Sequence, residues 1–177
     1  MKKLGLLLAS LFVMVLATQR VNAEDPATAT ATASADVTAT IVQAISIDKI
    51  TDLKFGKIVA SSTAGKVAIE TNGEKSIIEG GVALFDQESD EQAASFKTIG
   101  SPGAAYYLVL PEDESVELTG PPESDPMTIE GFEHSATGKL DAATGEETFN
   151  VGATLKVGAN QAPGQYKGTF SVTAVYN

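Results

Sequence analysis

The chain has 177 residues, of which 23 are acidic and 12 basic, giving a formal charge of −11; it has 16 glycines, seven prolines and no cysteine. Such a charge balance repels nucleic-acid phosphates, and no basic aromatic stripe interrupts it. The missing cysteines exclude a disulfide framework, a lipid anchor on an N-terminal cysteine, thiol catalysis and every cysteine-based metal site.

At the N-terminus, Lys2 and Lys3 precede an apolar run from Leu4 to Ala17 broken only by Gly5 and Ser10, and Ala23 follows Val21 by two positions. This arrangement predicts a cleavable signal peptide over residues 1–23, a mature chain from Glu24, and export to the periplasm, the cell surface or the extracellular space. The run falls short of the ~20 residues that span a bilayer, and no later segment is apolar enough, so no transmembrane segment is expected after cleavage. Without Lys2, Lys3 and Arg20, nine lysines face 23 acids and the mature charge becomes −14. A mature chain of this length suits one domain, held by core packing and sheet pairing or completed by partner subunits. It contains no Asn-x-Ser/Thr acceptor for N-glycosylation.

Residues 24–36 alternate alanine and threonine around Pro26 and carry little side-chain mass, which predicts a flexible leader. From there a single β-sandwich domain is expected over residues 37–177. Val37, Ala39, Ile41, Ile45 and Ile47 share one parity against Thr38, Thr40, Ser46 and Asp48, the pattern of a half-buried strand, with Gln43 marking a bend or bulge. Leu53 and Phe55 suggest a short strand closed by Gly56, after which Ile58 and Ala60 resume. Val67 and Ile69 follow, with Gly65 suited to the turn before them and Asn72-Gly73 to a hairpin turn after them. Val82 and Leu84 precede the acidic stretch Asp86 to Glu91, and Ala94 with Phe96 begins another strand. Ser101-Pro102-Gly103 is a turn leading into Tyr106, Leu108 and Leu110, which alternate until Pro111. Short elements follow at Val116 to Leu118 and at Met127, Ile129 and Phe132.

The last third carries the longest patterns. Phe149, Val151, Ala153, Leu155 and Val157 hold one parity, and after a turn-rich connection from Gly158 to Gly164 the positions Tyr166, Gly168, Phe170, Val172, Ala174 and Tyr176 repeat it. No stretch holds a helical apolar face over about 11 residues; Asp86 to Phe96 would make at most a short exposed helix. Strands at intervals of about 8–12 residues, separated by Gly/Pro turns, predict an all-β antiparallel sandwich.

No hydrolase elbow, metal-binding His-Glu-x-x-His pair, phosphate loop or dinucleotide fingerprint occurs, so neither a catalytic set nor a cofactor site is expected. His134 is the only histidine and reads as a surface residue between Glu133 and Ser135. Asp86, Glu88 and Asp90 could gather a hard cation, but they lack the glycine and terminal glutamate spacing of an EF-hand, and a solvated charge run is the expected role. Glu112-Asp113-Glu114 reads the same way.

The segments Ile45 to Ile47, Leu53 to Ile58, Gly103 to Pro111, Phe149 to Leu155 and Val157 to Gln161, in this order and spacing, resemble a family of small bacterial exported proteins catalogued as a domain of unknown function. That family is similar to pilus subunits and spore-coat-U-like secreted proteins, which implies an immunoglobulin-like, pilin-like sandwich. In chaperone–usher pilins the final strand pairs with an assembly chaperone and often has a penultimate tyrosine and a glycine fourteenth from the end. Tyr176 and Gly164 occupy those places here, while the usual pilin disulfide is absent.

The resemblance implies a C-terminal assembly strand carrying Gly164, Tyr166, Phe170, Val172 and Tyr176, and a periplasmic chaperone or further copies of the chain as partners. Val37, Ala39, Ile41, Ile45 and Ile47 form a candidate donor strand for a neighbour's sheet; equally, they form the first strand of the chain's own sandwich. The expected function is a non-enzymatic exported structural subunit of a fimbria-like or cell-surface assembly. The alternative is a secreted monomeric module binding an extracellular glycan or cation.

Overall fold

The computed structural model describes residues 30–85 and 90–177; the expected signal peptide, leader residues 24–29 and positions 86–89 of the acidic stretch lie outside them. The chain divides into two units, residues 1–39 and 40–177. Within the first, residues 30–39 are exposed and have no regular secondary structure.

The second unit is all-β, with no helix among the described residues. Its strands are β1 (Ser46–Thr51), β2 (Ile58–Ala60), β3 (Gly65–Ile69), β4 (Lys75–Glu79), β5 (Val82–Leu84) and β6 (Ala94–Ile99), followed by β7 (Tyr106–Val109), β8 (Val116–Leu118), β9 (Met127–His134), β10 (Glu146–Val157) and β11 (Thr173–Tyr176). One antiparallel sheet runs β1-β6-β10-β3-β4, with β9 also on β10 and β8 on β9; β7 with β11 and β2 with β5 form separate ribbons. The arrangement is sandwich-like, as the alternating short strands predict.

β10 organises this unit. Its first half, Glu146 to Val151, pairs with β6, and Ala153 to Val157 pair with β3. β9 also pairs with it, between Val151 and Lys156. Gly152 sits where β10 passes from one partner to the other. A Cβ there would overlap the Ile69 carbonyl oxygen and lie 2.9 Å from the Glu70 carbonyl carbon. Only glycine lets the end of β3 approach so closely.

Every apolar residue of the predicted parity on β10 is buried: Phe149, Val151, Ala153, Leu155 and Val157. The last three join Val67, Ile69, Ile129 and Phe55 in one core cluster; Phe149 and Val151 join Ala94 and Phe96 in another. The Phe96 and Phe149 rings stack with centroids 5.8 Å apart. Each such side chain stabilises the fold by roughly 1.5–3 kcal/mol on burial. On β9 the parity shifts: Gly131, at φ 59°, sits at a register break opposite Gly152 and Thr154, and its N–H donates to Asp113 Oδ1 at 2.7 Å. That bulge turns Phe132 onto the core although it is off the parity of Met127 and Ile129.

Four expectations need correction. Residues 37–47 are not one strand: pairing begins at Ser46, against Ile99, and Val37 and Ile41 are almost fully exposed. Leu53 and Phe55 do not form a strand; the segment's one ladder contact is the isolated Lys54–Gln92 bridge, though Phe55 is buried. Gly65 is not a turn residue but opens β3, where a Cβ would overlap the Gly80 carbonyl oxygen. The long C-terminal strand shrinks to Thr173–Tyr176, because before it only Thr119–Lys167 forms a bridge. The strand Lys75–Glu79 was not anticipated, since Ile77 and Ile78 are adjacent and give no alternation.

Candidate assembly edge

Within the second unit, the predicted C-terminal segment touches the stretch leading into β1, through Tyr176 and Gln43. Ile45 and Ile47 are half-buried, whereas Ile41 is 96% and Val42 61% exposed. In the first unit, Val37 is 93% exposed and Ala39 is exposed. Residues 30–44 thus make an exposed arm, rich in the small and β-branched residues that suit a strand. None of them belongs to a strand or bridge among the described residues.

The C-terminal segment is tied down side chain by side chain. Gly164 has φ 153°, and a Cβ would overlap the Pro121 ring. The Tyr166 hydroxyl donates to the Ala162 carbonyl at 2.9 Å and accepts from Gln161 Nε2 at 2.8 Å. Gln161 also donates to the Asp125 carbonyl and accepts the Gly158 N–H. The Val157 to Gln161 motif is thus a structural turn. Phe170 meets Phe132 at 5.1 Å and Phe96 at 6.2 Å between centroids, and Val172 lies against the same cluster.

β11 pairs with β7 along one edge, Thr173 opposite Val109 and Tyr176 opposite Tyr106. The Asn177 N–H bonds the Ala105 carbonyl at 3.2 Å. By antiparallel alternation, the backbone groups of Ala174 and Tyr176 point away from β7. No strand pairs with that second edge among the described residues, although β1 runs nearby. Tyr176 itself reaches across: its hydroxyl accepts the Ser101 N–H at 2.7 Å and donates to the Gln43 carbonyl at 2.8 Å. Sequence reasoning singled out Tyr176 but not these partners, which are remote in the chain.

Buried Tyr106 of β7 makes a polar pair with half-buried Glu147. The Tyr106 hydroxyl donates to Glu147 Oε2 at 2.8 Å, and Glu147 Oε1 accepts the Thr137 N–H at 2.6 Å. Burial first, and the bonded Glu147 carboxylate second, push the Tyr106 phenol well above its usual range.

The acidic runs have structural partners. Asp113 holds the Gly131 bulge, Glu114 pairs with Lys156 at 2.5 Å, and Asp90 pairs with Lys54 at 3.2 Å. Lys66 and Lys156 face each other across β3 and β10, a repulsive register that Glu130 relieves by reaching both, at 2.9 and 3.9 Å. The hydrogen bond and charge of Glu130 hold Lys66 above its usual range. The charges lining the open hollow of about 350 Å³ beside these lysines are Lys66 and Glu79, which pair, and Lys156, which pairs with Glu114. His134 is exposed at the end of β9, edge-on to Phe149. Among the described residues, no three His, Asp or Glu side chains converge as metal ligands, and no helix is long and apolar enough to cross a membrane.

A family model described as a domain of unknown function, DUF4402, matches residues 45–176. The matched region starts where burial starts and leaves residues 30–44 outside it. No curated protein and no solved structure matches the chain.

Proposed function

Taking as premise that the chain belongs to the DUF4402 family, we propose that it is an exported, non-enzymatic structural subunit whose copies join by strand addition. In this reading the arm of one copy, carrying Val37, Ala39 and Ile41, lies along the open edge of β11 in another. Backbone hydrogen bonds would supply affinity and the alternate side chains register, as in other β-augmented assemblies. The observation that carries the reading is the exposed apolar arm. Val37 and Ile41 are more than nine-tenths exposed and Val42 is 61% exposed, and a β-branched segment left so exposed is what natural proteins avoid unless something covers it.

Delivery to the cell surface by the signal peptide over residues 1–23, and guarding of the open edge by a periplasmic chaperone before assembly, belong to the same proposal. The binding-module reading has less behind it, because both lysines lining the hollow beside β3 and β10 already hold glutamate partners. Size-exclusion chromatography and electron microscopy of the mature protein released from cells test the proposal. Oligomers or fibres are expected; a strictly monomeric protein at every concentration, with no surface retention, contradicts it.

A further inference from the structure

We infer that the Tyr176 hydroxyl is a positioning group that fixes the root of the arm, so that strand addition starts from an ordered point; this rests on the strand-addition reading above. A phenol hydroxyl has one proton and two lone pairs. Here the proton goes to the Gln43 carbonyl at 2.8 Å and a lone pair takes the Ser101 N–H at 2.7 Å. The two partners lie 133 and 75 residues away in sequence.

Two further features support the role. Tyr176 is itself well placed, since β11 is paired along its length with β7 and the next residue, Asn177, bonds Ala105. Gly100 is buried, and a Cβ on it would overlap the Tyr176 hydroxyl. The glycine after β6 therefore leaves room for this hydroxyl, with Leu140 Cδ1 also 2.9 Å from where a Cβ would stand. At the other end of the bond, Gln43 and Ala44 are exposed, so packing does not order them. The hydroxyl does, by holding a backbone carbonyl instead of a side chain. It makes the penultimate tyrosine an internal tie between the chain's C-terminal strand and the segment that precedes its first strand.

The test is Tyr176→Phe in the full mature chain, which keeps the ring and removes only the oxygen. In the monomer, heteronuclear NOEs of Ile41 to Ala44 should fall, and the Ser101 amide should exchange roughly three- to tenfold faster, the worth of one net hydrogen bond. Amides of β10 should not change. Gly100→Ala keeps the hydroxyl but displaces it, and should give the same local loosening. Assembly of Tyr176→Phe, followed by turbidity and fibre counts, should slow several-fold.

Unchanged NOEs over Ile41 to Ala44 in Tyr176→Phe would overturn the tie whatever assembly does. Loosened NOEs with unchanged assembly would overturn the positioning role and leave strand addition standing. If a chain lacking residues 24–44 assembles normally, strand addition itself fails, while the NOE result still decides whether the tie exists.

Discussion

β10 and the arm carry the same sequence signal and meet opposite fates. In β10, Phe149, Val151, Ala153, Leu155 and Val157 alternate, and all are buried between paired neighbours. In the arm, Val37, Ala39 and Ile41 alternate just as regularly, yet Val37 and Ile41 remain more than nine-tenths exposed. Alternation assigns side chains to faces; it does not supply a partner edge. β10 has β6 and β3 on one side and β9 on the other, whereas no strand pairs with the arm among the described residues. The difference is also one of mass, because alanine and threonine bury too little surface to offset the entropy of ordering a strand alone.

The comparison breaks most visibly at β10. Phe149→Ala should cost about 3–5 kcal/mol, since the ring is buried and stacked on Phe96 and its loss leaves a cavity. Urea denaturation reads this directly, and a loss below about 1 kcal/mol would mean that the aromatic cluster is not a principal part of the core. Gly152→Ala should cost about 1–3 kcal/mol through overlap with the Ile69 carbonyl, seen as a lower thermal midpoint. An unchanged midpoint would show that β3 can withdraw from β10 freely.

A smaller, pH-selective effect belongs to the polar pair beneath β7. Burial and Glu147 raise the folded-state Tyr106 phenol above the unfolded value of 10.0, so the folded chain retains a proton that the unfolded chain loses. The stability this contributes is complete below pH 10.0 and falls as pH rises above it. Tyr106→Phe should cost about 1–3 kcal/mol at neutral pH, because Glu147 loses a donor, and should flatten the alkaline decline relative to wild type. Parallel alkaline slopes in the two proteins would refute the assignment. In contrast, Ile41→Ser should change monomer stability by no more than about 0.5 kcal/mol, since the side chain is exposed.

The sandwich was legible because its long strand is regular and its turns use glycine where positive φ is needed, as at Gly56 and Gly73. What could not be read were features set by distant segments. The bulge at Gly131 depends on Asp113, and the truncation of the C-terminal strand depends on Phe170 leaving the ladder to join Phe96 and Phe132. The surface ion pairs of Asp90 and Glu114 could not be read because their partners, Lys54 and Lys156, are remote in sequence. At the candidate site, the sequence named both segments and Tyr176. It could not show that no strand among the described residues pairs with the second edge of β11, because pairing is a property of the assembled sheet.

The central claim is that the arm joins copies and is dispensable within one. The direct measurement compares the mature chain with a form lacking residues 24–44, by sedimentation and negative-stain microscopy alongside thermal melting. The account predicts that the truncated chain melts within about 4 °C of the intact one, the worth of the lost Tyr176–Gln43 bond, and stays monomeric while the intact chain forms oligomers or fibres. Fibres of equal yield from the truncated chain would contradict it.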